Sequence, residues 1–177
     1  MSETARKHKA EAPTSLNFAV IVCSSSRYQA LQLMKRVDDP SGDLIAETLQ
    51  QHGHTVVFRK IVPDDKPTIE QNVKEALKLK TVDAVITCGG TGISSTDVTI
   101  EAVEPMLEKE LPGFGEIFRR LSLEEIGSAA LLSRAVAGVA SGKAVFCVPG
   151  SPQAVRLCLE RLILPEAGHI LKHVRER

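Results

Sequence analysis

The chain has 177 residues, 43% of them hydrophobic and 25% charged, the size and make-up of one globular domain that can bury a core on both faces of a sheet. Lys plus Arg number 22 and Asp plus Glu number 22, so no net field draws the chain to nucleic acid or to an anionic membrane. No apolar run approaches the roughly 20 residues that span a bilayer, and with aromatics at 3% and no Trp a stacking platform for bases is poorly supplied. These values predict a soluble, cytoplasmic protein that acts without nucleic acid or membrane.

Residues 1–15 are polar and charged and lack the apolar stretch of a secretory signal, which predicts a flexible tail ahead of a single domain over 16–177. Leu16 to Cys23 is a nearly unbroken apolar run, the pattern of a strand covered on both faces, and Ser24 to Tyr28 reads as the polar loop after it. Ser41 is placed to cap a helix running to about Gln51, with Gly53 ending it. A second strand is predicted over His54 to Val62, a turn at Pro63-Asp64-Asp65, and a helix from Thr68 to Lys80. Val82 to Cys88 is the third strand and runs straight into Gly89-Gly90-Thr91-Gly92. Beyond it the pattern predicts helices from Thr99 to about Lys109 and from Phe114 to Leu121, broken at Pro112-Gly113. Strands Leu132 to Ala140 and Ala144 to Val148 are joined through Ser141-Gly142-Lys143, and proline-started helices run from Pro152 to Leu164 and from Pro165 to about Arg175. Alternating strands and helices argue for an α/β fold with a mostly parallel central sheet, and the late hairpin for an antiparallel edge.

In such sheets ligands bind beyond the carboxyl ends of the strands, which nominates the loops Ser24 to Tyr28, Gly89 to Thr99 and Pro149 to Pro152. Gly89, Gly90 and Gly92 with Thr91 can bring bare backbone N–H groups against an anion, although the spacing is neither the Walker nor the dinucleotide pattern and a tight turn is the plain alternative. Ser94 to Thr99 adds hydroxyls and the carboxylate of Asp97, a suitable Mg²⁺ ligand beside phosphate or else a helix cap. Asp64 and Asp65 end the second strand on the same ridge, or are simply exposed turn acids. Pro149-Gly150-Ser151-Pro152 opens a helix whose N-terminus attracts anions, and Ser133-Arg134 offers a charge-assisted phosphate contact. Arg27 and Tyr28 could flank a ring system. Cys23, Cys88, Cys147 and Cys158 lack paired spacing and are expected as small buried side chains. His169 and His173, four apart on a late helix, are expected to be solvated.

Taken together these residues resemble the MoaB/MogA family of molybdenum cofactor biosynthesis proteins, related to the G domains of gephyrin and Cnx. The likeness runs from about Leu16 to Leu164. It rests on the order of Ser24-Ser25-Ser26-Arg27-Tyr28, Asp38-Asp39-Pro40-Ser41-Gly42, Val62-Pro63-Asp64-Asp65, Gly89-Gly90-Thr91-Gly92 with Asp97-Val98-Thr99, Pro112-Gly113-Phe114-Gly115-Glu116 and Pro149-Gly150-Ser151. Phe118 to Ser122 with Glu124 to Gly127, followed by Ser133 to Val139, is more similar to the MoaB branch. The resemblance implies a three-layer α/β/α fold, trimers or hexamers, and Mg-ATP-dependent adenylylation of molybdopterin, a nucleotidyl transfer with ATP as co-substrate and a metal-insertase partner in the molybdenum or tungsten pathway.

On that resemblance Asp64 and Asp97 are the catalytic and Mg²⁺-binding acids. Ser24, Ser25, Ser26, Arg27, Ser41, Gly89, Gly90, Thr91, Gly92, Thr99, Ser133, Arg134, Pro149, Gly150 and Ser151 would hold the pterin and the ATP phosphates. Ser94-Ser95-Thr96 departs from the Pro-Arg or Arg-Arg that often precedes the acid in MogA. The alternatives are a non-catalytic molybdopterin carrier and, more distantly, a pyrophosphatase acting on nucleotide conjugates.

Overall fold

The computed structural model describes residues 12–176; most of the expected tail, residues 1–11, therefore lies outside the described residues. Six strands form one sheet in the order β2-β1-β3-β6-β5-β4. They are β1 (Asn17–Cys23), β2 (Thr55–Val62), β3 (Ala84–Cys88), β4 (Lys109–Glu110), β5 (Val136–Ala140) and β6 (Lys143–Val148). β2, β1, β3 and β6 are mutually parallel, whereas β5 runs antiparallel to β6 and the short β4 antiparallel to β5. The mostly parallel sheet with an antiparallel edge is thus as expected. The register sets Ile86 opposite both Val20 and Phe146, so the three central strands are flanked on each side and read as continuous apolar runs.

Successive side chains of these strands point to opposite faces, and two helical layers bury them. One layer holds α2 (Pro40–Gln51), α5 (Pro112–Ile126), α6 (Pro152–Cys158) and α7 (Leu164–Arg175). It packs Ile45, Leu49, Phe118 and Leu171 on Phe18, Val20, Ile86 and Phe146, with the Phe114 ring tilted against Phe146 at 5.6 Å between centroids. The other layer holds α3 (Lys66–Lys78) and α4 (Thr99–Val103), whose Ile69, Val73, Ile100 and Val103 cover Ala19, Ile21, Val85 and Cys147. The three-layer architecture follows from this division.

Several boundaries differ from the sequence expectation. Ser24 to Tyr28 is not a loop: Ser24 caps a short helix, α1 (Ser25–Gln32), none of whose residues is buried. Asp39, not Ser41, caps α2, because Pro40 takes the first helical position and the Asp39 carboxylate accepts from Gly42 N at 3.1 Å. Asp65 caps α3, which starts at Lys66. The helix expected to reach Lys109 stops at Val103 and passes into a 3₁₀ turn, Glu104–Met106, since Pro105 offers no N–H to continue the ladder. Gly127–Leu132 is likewise 3₁₀, so the strand expected from Leu132 starts at Val136. A π-helical turn, Leu159–Ile163, joins α6 to α7 without a break. Of the expected tail, Ser15 Oγ donates to Gly53 O at 2.8 Å.

Candidate functional site

β1 feeds β2 on one side, while β3 lies on the other side of β1, so the connections leaving β1 and β3 diverge to opposite faces and open a crevice between them. The loop leaving β6, next to β3, forms a third wall. The result is a cleft of about 380 Å³ lined by Cys23, Ser24, Asp64, Gly89, Gly90, Thr91, Gly92, Thr96, Asp97, Leu132, Ser133, Arg134, Pro149 and Gly150. All three nominated loops therefore meet at one place, and Asp64 and Asp97 share it.

Two glycines set the geometry. Gly89 has φ +99°, and a Cβ there would lie 2.5 Å from Cys23 O, backbone that cannot yield. Gly90 has φ +63°, and a Cβ there would lie 2.5 Å from Thr99 Oγ1 and 3.1 Å from Asp64 Oδ1. The loop is held from below by Gly89 N donating to Val148 O (3.0 Å) and Thr99 N donating to Gly90 O (2.9 Å). Thr99 Oγ1 is fully buried without a conventional hydrogen-bond partner, with the Cys23 thiol beside it; burial pushes that thiol up to about 12.

Each acid is oriented by donors on its own side. Asp64 Oδ2 accepts from Ser25 N at 2.7 Å and Asp64 N donates to Ser25 Oγ at 2.9 Å, a reciprocal pair that ties the end of β2 to the first turn of α1. Asp97 Oδ2 accepts from Ser94 Oγ at 2.7 Å and Ser94 N at 2.9 Å. The Ser94 hydroxyl bond, then the Ser94 and Gly92 amides and the Arg134 charge, hold the Asp97 carboxyl below its ordinary range, so it is an anion at neutral pH. The Ser94 to Thr99 stretch thus gives Asp97 a rigid seat, and Asp97 is not a helix cap.

Arg134 is occupied differently from the direct phosphate contact expected of it. Nε donates to Thr91 O (2.9 Å) and Gly92 O (3.0 Å), Nη2 to Gly92 O (2.7 Å), and Nη1 to Glu101 Oε1 (2.7 Å). The guanidinium clasps the glycine loop through its carbonyls and brings a positive charge to the cleft wall, while its bond holds the Glu101 carboxyl below its usual range.

Ser41, by contrast, does not line the cleft. It is buried and donates to Gly150 O at 2.7 Å, fixing the third loop from beneath. Ser25 acts through Asp64, and Thr99 lies under the loop. Ser26 is exposed at 3.3 Å from Ser24 Oγ, Arg27 Nε donates to Asp38 O at 2.9 Å, and Ser151 caps α6 by accepting from Ala154 N at 3.3 Å. Ser24, Ser133, Pro149 and Gly150 do line the cleft, as does Thr96 of the hydroxyl-bearing Ser94 to Thr99 stretch; Cys23 and Leu132 line it too and were not expected there, and Glu101, the partner of Arg134, carried no signal in the sequence.

Among the described residues no group of three or more His, Cys, Asp or Glu forms a ready metal cage. Two carboxylates beside an anion-binding loop are nevertheless the donor set Mg²⁺ uses when phosphate oxygens and water complete its shell. The residues present fit that ion.

The family model described as "Probable molybdopterin binding domain" matches residues 19–169. Molybdenum cofactor biosynthesis protein B of Bacillus anthracis is 48% identical over 165 residues, covering 93% of this chain and 94% of its own. Molybdopterin adenylyltransferase of Pyrococcus furiosus is 45% identical over 174 residues, covering 96% and 98% respectively. The crystal structure of the tungsten cofactor synthesizing protein MoaB from Pyrococcus furiosus superposes with a TM-score of 0.83 at 44% identity, over 93% of this chain and all of that one.

Proposed function

Because the chain belongs to the molybdopterin-binding family that these relatives share, we propose that its cleft joins the AMP part of ATP to the terminal phosphate of molybdopterin. A phosphate oxygen of the pterin attacks the α-phosphorus of ATP in line, the bond from that phosphorus to the α,β-bridging oxygen breaks, and pyrophosphate leaves with the electron pair. No covalent enzyme intermediate is needed. The observation that carries this reading is the placement of Asp64 and Asp97 in one cleft with the Gly89 to Gly92 loop.

Two anions must approach each other, so lowering their repulsion is the main task. The amides of Gly90 and Thr91 orient phosphate oxygens, and the Arg134 charge behind the loop strengthens their pull. Asp64 and Asp97 would hold Mg²⁺, which when bound neutralises charge on the triphosphate and the leaving pyrophosphate. The Ser25 and Ser94 bonds keep the two carboxylates aimed before substrate arrives. A carrier that only holds the pterin has no use for two oriented acids, which favours catalysis over that alternative.

Single-turnover AMP transfer with Mg-ATP and molybdopterin, followed by pyrophosphate release, tests the assignment. Asp97→Asn and Asp64→Asn are each expected to slow it by about 100-fold or more; transfer within a few-fold of wild type would remove both from catalysis, and no pyrophosphate from wild type would favour the carrier. Self-association into trimers or hexamers is part of the same proposal. It is supported by exposed apolar side chains at Ile117, Leu123 and Ile126 of α5 and at Leu131 and Leu132 after it. No helix among the described residues is long and apolar enough to cross a membrane, in keeping with a cytoplasmic role.

A further inference from the structure

One short helix organises the glycine loop from both of its ends. α4 is anchored under the sheet by buried Ile100, Ala102 and Val103, so the polar residues it carries are held in place. Thr99 N donates to Gly90 O at 2.9 Å and secures the start of the loop. Two positions on, the exposed Glu101 secures the other end through an intermediary. Its carboxylate grips Arg134, with Nη1 donating to Oε1 at 2.7 Å and Nη2 to Oε2 at 3.4 Å.

Arg134 is in turn committed to the loop carbonyls. Nε is shared between Thr91 O at 2.9 Å and Gly92 O at 3.0 Å, and Nη2 donates to Gly92 O at 2.7 Å. The chain itself therefore engages most of the guanidinium donors, which makes Arg134 a holder of the loop. What it holds is the seat of Asp97. A peptide unit is planar and trans, so drawing Thr91 O towards Arg134 turns the Gly92 N–H the opposite way. The Gly92 amide helps to keep the Asp97 carboxyl an anion, and the carboxylate lies against that same residue: a Cβ on Gly92 would stand 2.7 Å from Asp97 Oδ2 and 3.1 Å from its Cγ. From Glu101 to Asp97 the order is carboxylate, guanidinium, peptide, carboxylate, and each member orients the next.

Stability does not account for the outer pair. The Arg134 and Glu101 side chains are 34% and 47% accessible, and an ion pair that open contributes little to folding. Its effect falls on Arg134 instead. Without the Glu101 carboxylate the guanidinium keeps only neutral carbonyls as partners, and it is then free to turn to phosphates in the cleft that it lines.

We propose that Glu101 is a positioning residue: by holding Arg134 on Thr91 O and Gly92 O it fixes the Thr91–Gly92 peptide and, through that peptide, the aim of Asp97. Glu101 itself touches no substrate. The inference rests on the adenylyl-transfer reading, in which Asp97 and the glycine loop receive Mg-ATP.

Titration calorimetry of Mg-ATP onto the full chain, with no pterin present so that nothing is transferred, reads the seat directly, and single-turnover AMP transfer reads its consequence. Glu101→Gln keeps the shape but loses the charge and meets a guanidinium N–H with a donor. It should weaken Mg-ATP binding by about 10-fold, with KM for Mg-ATP rising alike and the melting temperature unchanged. Arg134→Lys keeps a positive charge but cannot fork between two carbonyls and a carboxylate, and should show a similar loss. Adding Glu101→Gln to Arg134→Lys should then cost less than about two-fold more, because Glu101 has nothing left to hold. Binding by Glu101→Gln within about two-fold of wild type, or losses that multiply in the double variant, would overturn the proposal. A lower melting temperature with unchanged affinity marks a merely stabilising pair and overturns it equally. Wild type that binds Mg-ATP yet releases no pyrophosphate with molybdopterin sinks the transfer reading alone, since the calorimetry still decides the clasp.

Discussion

Gly90 is the point where backbone conformation, core packing and a catalytic carboxylate meet, and its replacement by alanine can be worked through quantitatively. At φ +63° an alanine carries a left-handed penalty of about 1–2 kcal/mol. Its Cβ would also lie 2.5 Å from Thr99 Oγ1, in a fully packed position, which adds roughly 1–3 kcal/mol of overpacking. Thr99→Ala alone removes a hydroxyl that has no conventional partner and should cost only about 1 kcal/mol. In the double variant the clash with Oγ1 is gone, the nearest Thr99 atom to the new methyl being Cβ at 3.6 Å, so only the conformational penalty and the Asp64 contact remain. Urea unfolding of the four proteins should therefore give a favourable coupling of about 1–3 kcal/mol, worth roughly 2–4 °C in melting temperature per kcal/mol at this chain length. AMP transfer should stay depressed in the double variant, because the methyl still presses on Asp64 Oδ1 at 3.1 Å. Additivity within about 0.5 kcal/mol would refute the packing argument.

Other expectations follow from the same structure. Arg59 Nη2 lies 2.7 Å from both Asp39 Oδ2 and Asp43 Oδ1, and Asp39 is nearly inaccessible, so Arg59→Met strands a buried carboxylate and should cost about 1–3 kcal/mol by denaturant unfolding; an unchanged midpoint would count against it. Burial holds the His54 imidazole below its ordinary value while Nδ1 accepts from Leu16 N at 3.2 Å. The unfolded chain then takes up that proton first, so this contribution is complete above about pH 6.5 and falls as pH drops through that value towards the folded one. His54→Gln should flatten the wild-type loss of stability between pH 7.5 and 5.5, and parallel curves would exclude the contribution. Burial pushes Cys23, Cys88 and Cys147 up to about 12, and Cys158 higher still, so a thiol reagent at pH 8 should leave the native chain unmodified and label all four on unfolding; rapid native labelling would contradict their placement.

What could be read from the sequence was what the chain encodes locally. β1, β3 and β6 stand out as apolar runs because both of their faces are covered, and the glycine loop stands out because no other residue tolerates its approach to Cys23 O. α1 was hidden because it buries nothing: its start depends on the Ser24 cap and on a reciprocal bond between Ser25 and Asp64, 39 positions away. The same distance problem concealed the roles of Ser41 and Arg134. A hydroxyl and a guanidinium near a phosphate loop look like ligands in one dimension, yet Ser41 reaches a carbonyl 109 positions on and Arg134 clasps carbonyls more than 40 positions back. Asp64 and Asp97 were legible as acids at strand ends, but that they share a cleft follows only from the strand order.

That strand order also shapes how the chain is born. β3 finds its second neighbour only when β6 is made, because Cys88 pairs with Val148 across the whole α4–β5 segment. Until then a nascent chain presents β3 as a bare, apolar sheet margin, open to strands of other chains. Closure is a late, long-range event with a slow search, and in crowded synthesis it competes with aggregation. The last strand to arrive also supplies the Pro149–Gly150 wall, so no chain shorter than about this point can possess a complete pocket, however well its first half has folded.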